Sequence, residues 1–143
     1  KIYRLERPNG LGPYKSGFVY RYRRELSFDG IPPWDPMARD THCPAPYDDI
    51  PKLKKRNCPV RHYELFGFRS VRDLWAWFGD CLKAMMTREN VKVVVYHVHK
   101  QDVLYGKKQV LFSRGVPLDK WDWRKTEQCL TKHKLGQHRR RAR

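Results

Sequence analysis

The chain has 143 residues, 40% of them hydrophobic and 13% aromatic. That is enough for one domain with a packed core and too apolar for a disordered chain. Lys and Arg number 31 against 15 acids, a formal net charge of +16, and this favours a polyanionic partner such as nucleic acid over a charge that serves solubility alone. No apolar run approaches membrane-spanning length, no signal peptide is visible and no C-x-x-C pair occurs, so the expectation is a cytoplasmic protein with reduced thiols and no membrane partner.

In chain order, residues 1–5 (KIYRL) read as a short strand. Ile2 and Arg4 share one face, and Tyr3 and Leu5 share the other. An inward Arg4 would need an anionic partner; taken alone, the residues favour an arginine in water on an edge strand. The glycines and prolines of RPNGLGPYKSG make a loop. Its Gly10-x-Gly12 is no dinucleotide fingerprint, because the third glycine and the strand-to-helix context are missing. Residues 18–24 (FVYRYRR) interleave aromatics with Arg21, Arg23 and Arg24, a pattern that can stack bases and neutralise phosphates, or simply form a half-buried strand with a basic face. From 28 to 51 the proline density predicts a long irregular loop carrying Trp34, His42, Tyr47, Asp48 and Asp49, a lid or pocket wall. Lys52, Lys54, Lys55 and Arg56 follow as a basic cluster.

Residues 62–112 are the predicted core: strand, capped helix, strand, turn, strand. Val71, Leu74, Trp75, Phe78, Leu82 and Met85 fall at helical spacing and make one apolar stripe. Ser70 stands at the N-cap position, and Asp73 suits the positive end of the helix. Arg88, Glu89 and Asn90 close it. Residues 91–98 are rich in valine and apolar on both faces, as an interior strand would be. Gly106 punctuates, and Gln109, Val110, Leu111 and Phe112 form a further short strand. Residues 113–117 read as a turn, after which Trp121 and Trp123 can fold back onto the core. The organisation is therefore a single domain over 1–130 with a basic flexible tail over 131–143, the tail carrying Arg139, Arg140 and Arg141.

His42, Cys43, Cys58 and His62 could supply four zinc ligands. However, His42 and Cys43 are adjacent, which is poor geometry for one ion, so no metal is assigned. His97 and His99 alternate on one strand face and could line a pocket or stand in solvent. Asp48 and Asp49 are loop neighbours with no further carboxylate to pair with, and no nucleophile motif occurs.

One ordered set remains: YR at Arg4, FGFRS ending at Ser70, and KKQVLFSRG containing Gln109. These three motifs resemble the motif positions of ADP-ribosyltransferase-like domains, and together they are similar to a small bacteriophage protein family with YR…GxGPY, GFxSxxxLxxWF and GxxQVxF. The resemblance spans roughly the first 115 residues. It implies an α+β fold, with a split, mostly antiparallel sheet and one main amphipathic helix, that binds NAD. Arg4 would grip a phosphate or ribose, Ser70 would brace the ribose–nicotinamide region, and Tyr96 and the loop around 34–47 would cover the nicotinamide. Gln109 occupies the place of the family's catalytic glutamate and brings no charge there, which bears directly on the cleavage chemistry.

Two readings follow. In one, the chain is an ADP-ribosyltransferase-like phage protein acting at nucleic acid or on a host nucleic-acid-binding protein, with Arg4, Ser70 and Gln109 as its site. In the other it is a non-enzymatic DNA- or RNA-binding or host-inhibitory protein on the same scaffold. Its contacts would come from Arg21, Arg23, Arg24, Lys52, Lys54, Lys55, Arg56 and the tail.

Overall fold

The structure is a computed structural model. It describes residues 1–12, 46–56 and 60–141, with 133–141 as backbone. The architecture is α+β, and the described residues form two antiparallel three-stranded sheets. The first sheet has the order β1 (Ile2–Glu6), β3 (Lys92–His97), β6 (Val116–Trp121). The second has the order β2 (Leu65–Gly67), β5 (Val110–Phe112), β4 (Val103–Tyr105). They meet where Tyr3 and Phe68 exchange backbone N–H to O bonds, both of 2.8 Å.

Two short helices, α1 (Pro46–Asp49) and α2 (Pro51–Lys55), cover the outside of the second sheet. Two more, α3 (Val71–Phe78) and α4 (Cys81–Arg88), cover the first. A terminal helix, α5 (Trp123–Arg141), contacts α3, α4 and β6.

The layering explains the residue pattern. Leu5 and Val93 face the helices, where Leu74, Trp77, Phe78, Leu82 and Met85 are buried. Ile2, Val94 and Tyr96 face the second sheet and meet Val103, Val110 and Phe112. With both faces covered, the interior of β3, Val93–Tyr96, is buried throughout, and only its end residues Lys92 and His97 are exposed. On the far side of the second sheet, Ile50 and Leu53 close over Leu111.

Several sequence expectations change in detail. The single stripe of residues 71–85 is two helices, because Gly79 takes φ 60° and ψ −145°, a backbone region open essentially to glycine. The side chain that buries deepest beside Leu74 and Phe78 is Trp77, while Trp75 is half-buried. The proline-rich run regains order at its end. Pro46 and Pro51 each open a helix, a first-turn position where a missing N–H costs nothing. Residues 116–121, of which 116 and 117 were expected in a turn and the rest were assigned no strand, form the edge strand β6. Its pairing slips after Val95, next to Pro117, which has no N–H to offer a ladder. Trp121 and Trp123 do pack against the helix-side core. Helix α5 carries the backbone from 123 to 141, across residue 131, where the sequence reading begins the tail.

Candidate functional site

Arg4 is the residue the sequence placed least well. It lies on β1 with only 8% of its surface exposed, so the solvated edge-strand reading is overturned. Strand periodicity puts Ile2, Arg4 and Glu6 on the face toward the second sheet. There the Arg4 Nη1 donates to the Phe66 carbonyl at 2.9 Å, and its Nε stands 3.2 Å from Glu6 Oε2 at an angle oblique to a hydrogen bond. Tyr96 on the neighbouring strand donates its hydroxyl to the same Glu6 oxygen. Burial pulls the Arg4 guanidinium below its ordinary value, and the Glu6 carboxylate opposes that pull. Burial, then the hydrogen bond to Glu6, pushes Tyr96 well above the usual tyrosine range.

A cavity of about 390 Å³ opens beside Arg4. That volume is within the roughly 300–1,000 Å³ typical of small-molecule sites. Its walls include the aromatic side chains Phe66, Phe68, Trp77 and Phe78, with Arg4, Gln109, Gly12, His62 and Glu64 among the remainder. Register brings Gln109 to this place. The pair Gly67–Val110 ends the β2–β5 ladder, so Gln109 comes next, opposite Phe68, which is bridged to Tyr3 beside Arg4. Gly12 also closes in: a Cβ there would stand 2.7 Å from Arg4 Nη2, so a larger residue would have to displace the guanidinium.

Gln109 is held from behind. Asp49, 4% exposed, accepts the backbone N–H groups of Lys107 (3.1 Å), Lys108 (3.0 Å) and Gln109 (2.8 Å). Three successive donors on one carboxylate form an anion-holding nest that fixes the β4–β5 turn. Asp49 thus acts as a structural clamp instead of half of a catalytic acid pair. Nothing local in the sequence marked it except an acid next to an apolar residue at a proline-bounded corner.

The cavity's carboxylate is Glu64, and its charge is committed. Arg56 grips it with two bonds of 2.8 and 2.7 Å, and the Arg61 N–H adds a third of 2.8 Å. The Arg56 hydrogen bonds hold Glu64 below the usual glutamate range. Arg56, expected as a phosphate contact, is therefore an internal ion-pair partner.

The other sequence-chosen residues fall as follows. Ser70 caps α3, accepting the Asp73 N–H at 3.0 Å, and does not line the cavity. Tyr96 is also absent from the lining; its ring lies against Phe112 at 5.1 Å between centroids. Lys52, Lys54 and Lys55 are exposed on α2. Arg139, Arg140 and Arg141 lie on the helical backbone of α5. His97 and His99 meet edge to face at 5.4 Å. Arg21, Arg23, Arg24, Trp34, His42, Cys43 and Cys58 lie outside the described residues. Of the four zinc candidates, His62 alone is described, and it borders the cavity.

A buried cation, a neutral amide and aromatic walls suit a ligand that combines an anionic group with a flat ring. Among the described residues, the cavity wall offers no unpaired carboxylate: Gln109 is neutral and Arg56 holds Glu64 on both oxygens. No helix among the described residues is long and apolar enough to cross a membrane.

Residues 1–122 match the sequence model of a family described as Bacteriophage T4 Y00F protein. The match covers both sheets and stops just after β6. No curated protein and no solved structure matches the chain.

Proposed function

The chain belongs to the bacteriophage T4 Y00F protein family, and from that premise we propose an ADP-ribosyltransferase-like phage protein that takes NAD into the Arg4–Gln109 cavity and works at nucleic acid or at a host nucleic-acid-associated protein. The observation that carries this reading is the meeting of Arg4, on β1 of the first sheet, and Gln109, which directly precedes β5 of the second, on one aromatic-walled cavity. Arg4 shares its charge with Glu6 and supplies guanidinium N–H donors at the cavity wall, where hydrogen bonds to an anion are stronger than at the surface because water is largely excluded. The aromatic walls suit a nicotinamide or adenine ring. The net charge of +16 supports the polyanion half of the reading.

A second reading keeps the scaffold and drops the transfer chemistry, leaving a basic nucleic-acid-binding or host-inhibitory protein. It is favoured by the state of the cavity's carboxylate, Glu64, which Arg56 holds on both oxygens. The two readings separate in one experiment. The full chain is titrated with NAD by calorimetry, and labelled NAD is then incubated with host extract. The proposal expects saturable binding that Gln109→Ala weakens, together with label on a macromolecule. Binding without transfer selects the scaffold reading with a ligand. Absence of binding removes NAD altogether.

A further inference from the structure

Helix α2 and the β4–β5 turn stand side by side, and both are basic. The Asp49 carboxylate ties the backbone of Lys107 and Lys108 to the corner between α1 and α2. Gly106 is pressed into that corner so closely that a Cβ on it would collide with Asp49 and Ile50. Leu53 turns inward onto Leu111, which leaves Lys52, Lys54 and Lys55 exposed on the outer side of α2. Arg69 reaches the same turn from the β2–α3 connection. Its Nη2 donates to the Gly106 carbonyl at 2.7 Å, and its guanidinium carbon sits 4.7 Å above the Tyr105 ring. Tyr105 is 42% exposed, and Tyr47, on α1, is 44% exposed. Within the described segments 46–56 and 105–109, the exposed acid is Asp48.

We propose that this face binds single-stranded nucleic acid: Lys52, Lys54 and Lys55 with Lys107, Lys108 and Arg69 track the phosphates, and Tyr105 and Tyr47 offer rings for unstacked bases. The inference rests on the polyanion half of the function proposed above and is independent of NAD. Three separate elements bring their cations to one corner, and the corner is rigid because a buried carboxylate and a glycine contact lock it. Cations alone would serve duplex phosphates or a lipid headgroup equally well. Two exposed tyrosines beside them favour a strand whose bases are free to stack. Arg56, which the sequence grouped with these lysines, takes no part because Glu64 occupies its guanidinium.

The test uses the full chain and fluorescence anisotropy with a labelled single-stranded oligonucleotide, the same oligonucleotide as a duplex, and anionic phospholipid vesicles as a competitor. The Lys54→Glu, Lys107→Glu double variant should weaken single-strand binding by about tenfold or more. Its log–log salt slope should be shallower by roughly 1.4, about 0.7 for each phosphate that a lysine no longer neutralises. Tyr105→Leu should weaken the single strand by roughly tenfold and leave the duplex unchanged. Thermal melting confirms that the variants fold. The proposal is overturned if the double variant binds like the parent, if Tyr105→Leu affects single strand and duplex equally, or if vesicles displace the oligonucleotide at matched charge. NAD titration of the same variants keeps the two readings apart, since loss of oligonucleotide binding with NAD binding retained concerns this face and not the cavity.

Discussion

The carboxylate of Asp49 holds the backbone N–H of Gln109 at 2.8 Å, and so a residue on a short helix fixes a residue at the cavity. The same carboxylate holds Lys107 and Lys108. Asp49→Ala would leave the buried Gln109 donor unpaired, while those of the exposed Lys107 and Lys108 can turn to water. A buried donor without a partner costs about 1–3 kcal/mol. Urea denaturation should therefore show a loss of about that size. If Gln109 contributes to ligand binding, NAD affinity should fall as well, even under conditions where the variant is fully folded. Asp49→Asn, which keeps the shape and one acceptor oxygen, should fall between the two.

Arg4, Glu6 and Tyr96 form a second unit, in which Glu6 serves a guanidinium and a hydroxyl together. Arg4→Ala would strand the Glu6 carboxylate in a site where its side chain is 9% exposed. Removing one partner of a buried pair costs about 3–5 kcal/mol. Arg4→Met combined with Glu6→Gln should recover most of that loss, because no uncompensated charge remains. Denaturation midpoints of the two variants test this ordering. Only the double variant gives a clean test of Arg4 in ligand binding, since the single one confounds affinity with folding.

Ser70 offers the opposite case, a residue whose local role was legible and whose distant role is unsupported by its position. Its hydroxyl accepts the Asp73 N–H at 3.0 Å. Ser70→Ala should cost about 0.5–2 kcal/mol, the usual range for a lost N-cap. NAD affinity should not change, because Ser70 is not part of the cavity wall. A tenfold loss of affinity in a folded Ser70→Ala protein would return the residue to the site.

These three cases show what the chain reveals before it folds. Ser70, the helical stripe and the valine run of β3 are local patterns, so periodicity and cap chemistry find them. The single stripe ran past one local signal, Gly79: a glycine inside a helical pattern is a sign of a break, and here it separates α3 from α4. Arg4 carried a fainter signal. Glu6 shares its strand face two residues on, so an inward arginine had a partner available within its own strand. The Phe66 carbonyl and the Asp49 clamp depend on sheet register and on a corner built from distant segments, and no window along the chain contains both ends of either interaction. β6 was hidden because its residues 116–120 are exposed and interrupted by Pro117, so it lacks the alternation that marks a half-buried strand.

The Arg56–Glu64 pair yields a pH prediction with a definite sign. Arg56 holds Glu64 below its ordinary value of 4.5. A depressed carboxylate contributes stability above its unfolded pKa and loses it as pH falls through the lower, folded one. The contribution is therefore complete at neutral pH and begins to fade near pH 4.5. Arg56→Met with Glu64→Gln removes this titration. Between neutral pH and the onset of acid unfolding, the parent should lose stability more steeply than the double variant once pH drops below that value, and above it the difference between the two should be constant. Denaturation curves across this range decide the matter. A parent and variant with parallel pH profiles would mean that the pair is held equally in the unfolded chain or is loosened by solvent. The carboxylate beside Arg4 and Gln109 would then be more available for chemistry than its paired geometry implies.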